Sequence, residues 1–115
     1  MATVPTPPDD AAFAERRAYP RAEVALPALL QAGRDRHAVQ LLDLSAGGAK
    51  LDCLVPLAVG TAVTLDCGTL ARTAVVRWRN ANLVGVCFDS ELEAREISAL
   101  IDRSNALTAW RKTRE

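Results

Sequence analysis

From Glu23 to Phe88 the chain is divided into six short apolar runs, separated by glycine, asparagine and proline at intervals of 8 to 14 residues. Runs bounded so closely by turn residues suit strands. In Ala49–Leu54, Ala49, Leu51 and Cys53 alternate with Lys50 and Asp52, the period-two pattern of a strand buried on one face. The other runs are Glu23–Gln31, with Val24, Leu26 and Ala28 on one face; Ala38–Leu44, with Val39 and Leu41 on one face and Gln40, Leu42 and Leu44 on the other; Ala62–Cys67, with Val63 and Leu65 inward; Thr69–Arg79; and Leu83–Phe88. Gly33-Arg34-Asp35-Arg36, Gly47-Gly48, Gly68 and Asn80-Ala81-Asn82 mark turns. Pro27 lies inside the first run and has no N–H to give a ladder, so that strand is expected at an edge or with a bulge. The pattern predicts a mainly β fold, a six-stranded antiparallel β-barrel, because closure leaves no strand edge open.

The period changes after Phe88. Ser90 is placed to cap a helix, and Glu91 and Glu93 suit its positive end. Ile97, Leu100, Ile101, Leu107 and Trp110 then fall on one helical stripe. The expected layout is a flexible leader over residues 1–14, containing Pro5, Pro7 and Pro8, a barrel over 15–89, and a C-terminal α-helix over 90–115 packed on the barrel. Trp110 leaves open a contact beyond the barrel, with a partner or a second copy.

Fourteen basic and fourteen acidic residues cancel, so no overall field draws the chain to nucleic acid or to a membrane surface. Only five aromatics occur, too few for a basic face interleaved with aromatic rings, so a nucleic-acid partner is not expected. No apolar run approaches the ~20 residues of a membrane span, and no secretory signal opens the chain; neither membrane insertion nor export is expected. Cys53, Cys67 and Cys87 are odd in number and widely spaced, with His37 the single histidine. They read as buried thiols in a reducing cytoplasm rather than as a zinc site. Without a paired nucleophile and base or a metal set, the chain offers no catalytic residue, metal site or cofactor, and is not expected to be an enzyme.

Two short segments carry recognition chemistry. Arg16-Arg17-Ala18-Tyr19-Pro20-Arg21 holds three arginines in six residues, stiffened by its proline. Their planar guanidinium forks suit phosphate oxygens and the acceptor edge of guanine. Asp43-Leu44-Ser45-Ala46-Gly47-Gly48 places a carboxylate and a hydroxyl two apart, followed by glycines that permit close backbone approach. A carboxylate accepts from guanine N1–H and N2–H₂, which an arginine cannot do. The combined set fits a guanine nucleotide with several phosphates.

Arg17-x-x-x-Arg21 followed by Asp43-x-Ser45-x-x-Gly48 resembles the paired signature of PilZ domains, bacterial receptors for cyclic di-GMP. Val75-Val76-Arg77-Trp78 and Val84-Gly85-Val86-Cys87-Phe88 are similar to the closing strand pair of that family. The resemblance runs from about Glu15 to about Asp89, continues less specifically into the C-terminal helix, and implies the same barrel and a cyclic di-GMP ligand. On this basis Arg17 and Arg21 contact phosphate and guanine O6 and N7, and Asp43 accepts from N1 and N2 or holds an arginine fork. Ser45 donates to a phosphate or braces the turn, and Gly48 is needed for its backbone, since a Cβ there would meet the ligand or force φ. In the family an arginine at the position of Arg16 accompanies a stacked pair of ligands, so an intercalated dimer of cyclic di-GMP is implied. Trp78 is expected in the core, with a rim position against a bound purine as the alternative. A stand-alone receptor implies an unidentified downstream protein. The competing reading is a PilZ-like adaptor that works by protein contact without nucleotide, although such members typically lack one of the two motifs.

Overall fold

The computed structural model describes residues 21–114, with side chains to residue 110. The leader over residues 1–14, and Arg16 and Arg17, lie outside the described residues. Six strands are followed by one helix: β1 (Ala22–Ala32), β2 (Asp35–Leu44), β3 (Gly48–Asp52), β4 (Ala62–Asp66), β5 (Ala71–Asn80), β6 (Leu83–Phe88) and α1 (Ala94–Arg114). The strands pair antiparallel in the order β1-β2-β3-β6-β5-β4, and Leu29–Gln31 meets Thr64–Asp66 to close the barrel. The mainly β, six-stranded barrel with a C-terminal helix is therefore the fold that forms.

Alternating residues fill the interior. Leu26, Leu30, Leu41, Leu51, Val76 and Val84 are among the most deeply buried. Pro27 is exposed, in a part of β1 that pairs with β2 but not with β4, so its missing N–H costs no ladder bond on that side.

Strict alternation fails at bulges, and the failures correct two expectations. Leu41 pairs with Leu51 and Asp43 with Lys50, which leaves Leu42 as an extra residue in β2. An extra residue reverses the facing of the residues after it. Leu44 consequently lies fully buried on the same side as Leu41, not with Gln40 and Leu42. In the β5–β6 ladder Val76 pairs with Val86 and Trp78 with Gly85, so Arg77 is the extra residue. Trp78 is thereby turned out of the core and is 40% exposed. β1 carries a third bulge between Glu23 and Leu26. There Ala25 N–H donates to the buried Ser104 hydroxyl of α1 at 2.8 Å. The helix thus satisfies a donor that lies at an irregularity of the ladder.

α1 begins at Ala94, three residues later than a cap at Ser90 would start it. The intervening chain is tied to the barrel: Leu92 is buried and its N–H donates to Ala46 O at 2.9 Å, while Arg72 donates to the carbonyls of Ser90 and Glu91. Glu93 takes the capping position instead. Its N–H donates to Glu96 Oε1 at 2.8 Å, the return half of a capping box. Leu100 reaches the core, Ile97, Ile101 and Leu107 pack half-buried against it, and Arg103 donates to Cys67 O. The helix therefore lies at the barrel end where β1 and β5 start and β4 and β6 finish. Trp110 leaves the packed stripe and is mostly exposed.

Candidate functional site

Arg21, the last residue of the arginine segment, meets the Asp43–Gly48 segment at that same end. Arg21 enters β1 beside Asp43 near the end of β2, and Arg21 Nε donates to Asp43 Oδ1 at 3.0 Å. The side chains are 33% and 17% exposed, so the pair faces solvent while resting on the sheet. The β2 bulge makes this possible. With unbroken alternation from Leu41, Asp43 would point into the barrel; the inserted Leu42 turns the carboxylate outward. An ion pair at this exposure contributes at most about 1 kcal/mol, so a ligand able to replace both halves meets a small opposing cost.

The following turn is self-braced. Ser45 N–H and Ser45 Oγ both point to Gly48 O, at 2.9 and 3.4 Å, and Phe88 N–H donates to Gly47 O at 2.9 Å. Ser45 is only 3% exposed. In this arrangement its hydroxyl braces the turn, one of its two expected roles. Gly48 has a structural reason of its own. A Cβ there would lie 2.3 Å from Val86 O, because β3 and β6 approach closely with no room for a side chain. The requirement comes from the neighbouring strand's backbone.

Strand registers set what surrounds the pair on the outer face. Glu23 lies opposite Asp43 on one side and Lys50 on the other; Lys50 lies opposite Gly85, and Gly85 opposite Trp78. Gly48 pairs with Cys87. Cys53 and Cys67 are buried as expected, but Cys87 is half-buried, since its parity along β6 is that of Gly85 and places it on the outer face. Trp78 sits at the rim of this surface rather than in the core. Lys50 was legible in the sequence only as an outward residue of a clean strand; its place beside Asp43 needed the bulged register. Arg16 and Arg17 are not placed, so the structure brings together Arg21, Asp43, Ser45 and Gly48 of the candidate set.

A groove between the β4–β5 turn and α1, lined by Thr69, Leu70, Arg95, Glu96, Ala99 and Leu100, shares none of these residues. Among the described residues no three His, Cys, Asp or Glu are grouped to hold a metal ion, and no helix is long and apolar enough to cross a membrane.

A closed six-stranded barrel with a guanidinium–carboxylate pair beside a glycine turn defines a small binding module. Its family is identifiable: the PilZ domain model matches residues 15–105, and the chain belongs to the PilZ domain family. PilZ domains are cyclic di-GMP-binding domains. The match reaches beyond the last strand into α1, so the family unit includes most of the helix. Among curated proteins none matches this chain.

Proposed function

We propose that this protein is a cytoplasmic receptor for cyclic di-GMP and acts by ligand-dependent protein contact, without catalysis. The observation that carries this reading is the Arg21–Asp43 pair at 3.0 Å, in which the two halves of the family signature already touch. Each member of the pair holds the other in a position a guanine can take over. Asp43 accepts from guanine N1–H and N2–H₂, while Arg21 and Arg17 donate to O6, N7 and phosphate. Ser45 and Gly48 keep the turn closed so that Asp43 stays at the surface. Arg16 supplies a further guanidinium plane for a second, stacked cyclic di-GMP.

In this reading residues 1–14 are a leader, 15–89 the ligand-binding barrel and 90–115 a helix that carries the signal outward. Ligand draws Arg16 and Arg17 onto the barrel face where Arg21 meets Asp43. The turn it touches is bonded to the start of the helical segment through Ala46 O and Leu92 N–H. A downstream protein then distinguishes the two surfaces, and only the ligand's greater affinity for the closed arrangement drives the change.

Calorimetry with cyclic di-GMP tests this directly. Wild-type protein is expected to bind saturably, and Arg17→Ala and Asp43→Ala to abolish binding while thermal unfolding remains cooperative. Two ligands per protomer, falling to one in Arg16→Ala, is the expected stoichiometry. A wild-type chain that ignores cyclic di-GMP removes the receptor reading.

A further inference from the structure

We propose that Lys50 and the exposed part of Trp78 form a second wall of the ligand site, Lys50 taking a phosphate and the indole a purine of cyclic di-GMP. This assignment rests on the receptor reading above and extends it to residues outside the two motifs.

The geometry comes from the outer row Glu23–Asp43–Lys50–Gly85, closed by Trp78 on β5. Neighbouring strands are about 5 Å apart, so Lys50 stands about 5 Å and Gly85 about 10 Å from Asp43 along the row. The Trp78 ring does not stay over its own strand. A Cβ built on Gly85 would lie 2.1 Å from its Nε1 and 2.2 Å from its Cε2, so the indole occupies the space above Gly85. The ring is thus about two strand spacings from the carboxylate that recognises guanine, within reach of one dinucleotide.

Charge gives the row a direction. On the β1 side of Asp43 lie the Glu23 carboxylate and the Arg21 guanidinium, the latter engaged by Asp43 itself. On the other side is Lys50, whose side chain has no hydrogen bond or ion pair to any described residue; its cross-strand neighbour Asp43 is engaged by Arg21 instead. Arg77 and Arg79 flank Trp78, exposed and likewise without an ion-pair partner among the described residues. A dinucleotide whose base meets Asp43 therefore finds, besides Arg21, a second and unengaged cation for a phosphate in Lys50. Its second base then lies on the side of the indole, where stacking tolerates any purine. An ordinary solvated sheet surface would show the same residues but no dependence of binding on them.

The test is calorimetric titration of cyclic di-GMP into the full chain at two salt concentrations. Lys50→Met is expected to weaken binding at least about fivefold and to flatten its salt dependence, with Lys50→Arg restoring both. Trp78→Leu is expected to weaken it by a similar factor. In a Trp110→Phe background, where Trp78 is the sole tryptophan, ligand should quench the emission. If wild-type protein binds while Lys50→Met and Trp78→Leu stay within about twofold of it, the second wall is wrong and the receptor reading stands. If wild-type protein does not bind, both fall. Should Trp78→Leu fail to fold, the Lys50 variants and the Trp78 emission decide. Saturable binding of a single-stranded oligonucleotide that is lost in Lys50→Met would overturn the assignment to cyclic di-GMP.

Discussion

Gly85→Ala places a methyl group 2.1 Å from Trp78 Nε1, 2.2 Å from Cε2 and 2.7 Å from Cδ1. These are mid-ring atoms, so no small rotation of a flexible tip relieves the overlap, and the indole has to leave the sheet. Trp78 is 40% exposed, which leaves more than half of its surface covered. A tryptophan buries about 150–250 Å², and swinging clear returns about 100 Å² to water, a loss of about 2.5 kcal/mol at 25 cal/mol per Å². The alanine gives back about 0.5–1 kcal/mol through lower backbone entropy in the unfolded chain. The net expectation is a destabilisation of about 1.5–2 kcal/mol. Guanidinium chloride unfolding in the Trp110→Phe background reads it twice, as a lower midpoint and as a red-shifted native emission. Stability within about 0.5 kcal/mol of the parent, together with unchanged emission, would refute the packing of Trp78 on Gly85.

Three further outcomes are expected. Ser104→Ala leaves Ala25 N–H without its 2.8 Å acceptor in a part-buried position and should cost about 1–3 kcal/mol in urea unfolding; a loss below 0.5 kcal/mol, roughly the surface-substitution range, would mean that water replaces the hydroxyl freely. Ala81 holds φ +54 in the β5–β6 turn, so Ala81→Gly should stabilise by about 0.5–1 kcal/mol and raise Tm by about 3–6 °C; a lower Tm would contradict the strain. Burial pushes the Cys67 thiol up from 9.0 to about 11, with the Arg103 charge partly opposing it. Between those values the folded chain keeps a proton that the unfolded chain releases. This contribution is therefore intact below pH 9 and is lost as pH rises to 11, by up to about 2–3 kcal/mol. Thermal scans from pH 8 to 10.5 should show a steeper decline than in Cys67→Ala, and parallel curves would rule the effect out.

Much of the fold was legible one strand at a time. Ala49, Leu51 and Cys53 alternate with Lys50 and Asp52, and they do so in the barrel, because a short strand without insertions has only two faces. The turns at Gly33 and Asn80–Asn82 were equally local, and the stripe Ile97, Leu100, Ile101 and Leu107 packs as its spacing requires. Arg21 and Asp43 could be named as partners from their chemistry, although 22 residues separate them.

The facing of residues beyond a bulge was not legible, because an inserted residue leaves no mark in composition. Leu44, Trp78 and the helix start at Ala94 each departed from the local reading for a non-local reason. Leu44 moved inward when Leu42 became an extra residue against β3. Trp78 moved outward when Arg77 did the same against β6 and Gly85 offered the space. α1 was delayed because Leu92 is committed to the barrel and to Ala46 O before the helix can begin. By itself the sequence determined six strands, one helix and the identity of the polar groups proposed to read guanine. Which of those groups share one surface was decided by register, since a single inserted residue in a strand exchanges its inner and outer faces. Asp43 stands beside Arg21 and Lys50 because the β2 bulge turns it outward, and in line with Trp78 because the β5 bulge turns the indole to the same face.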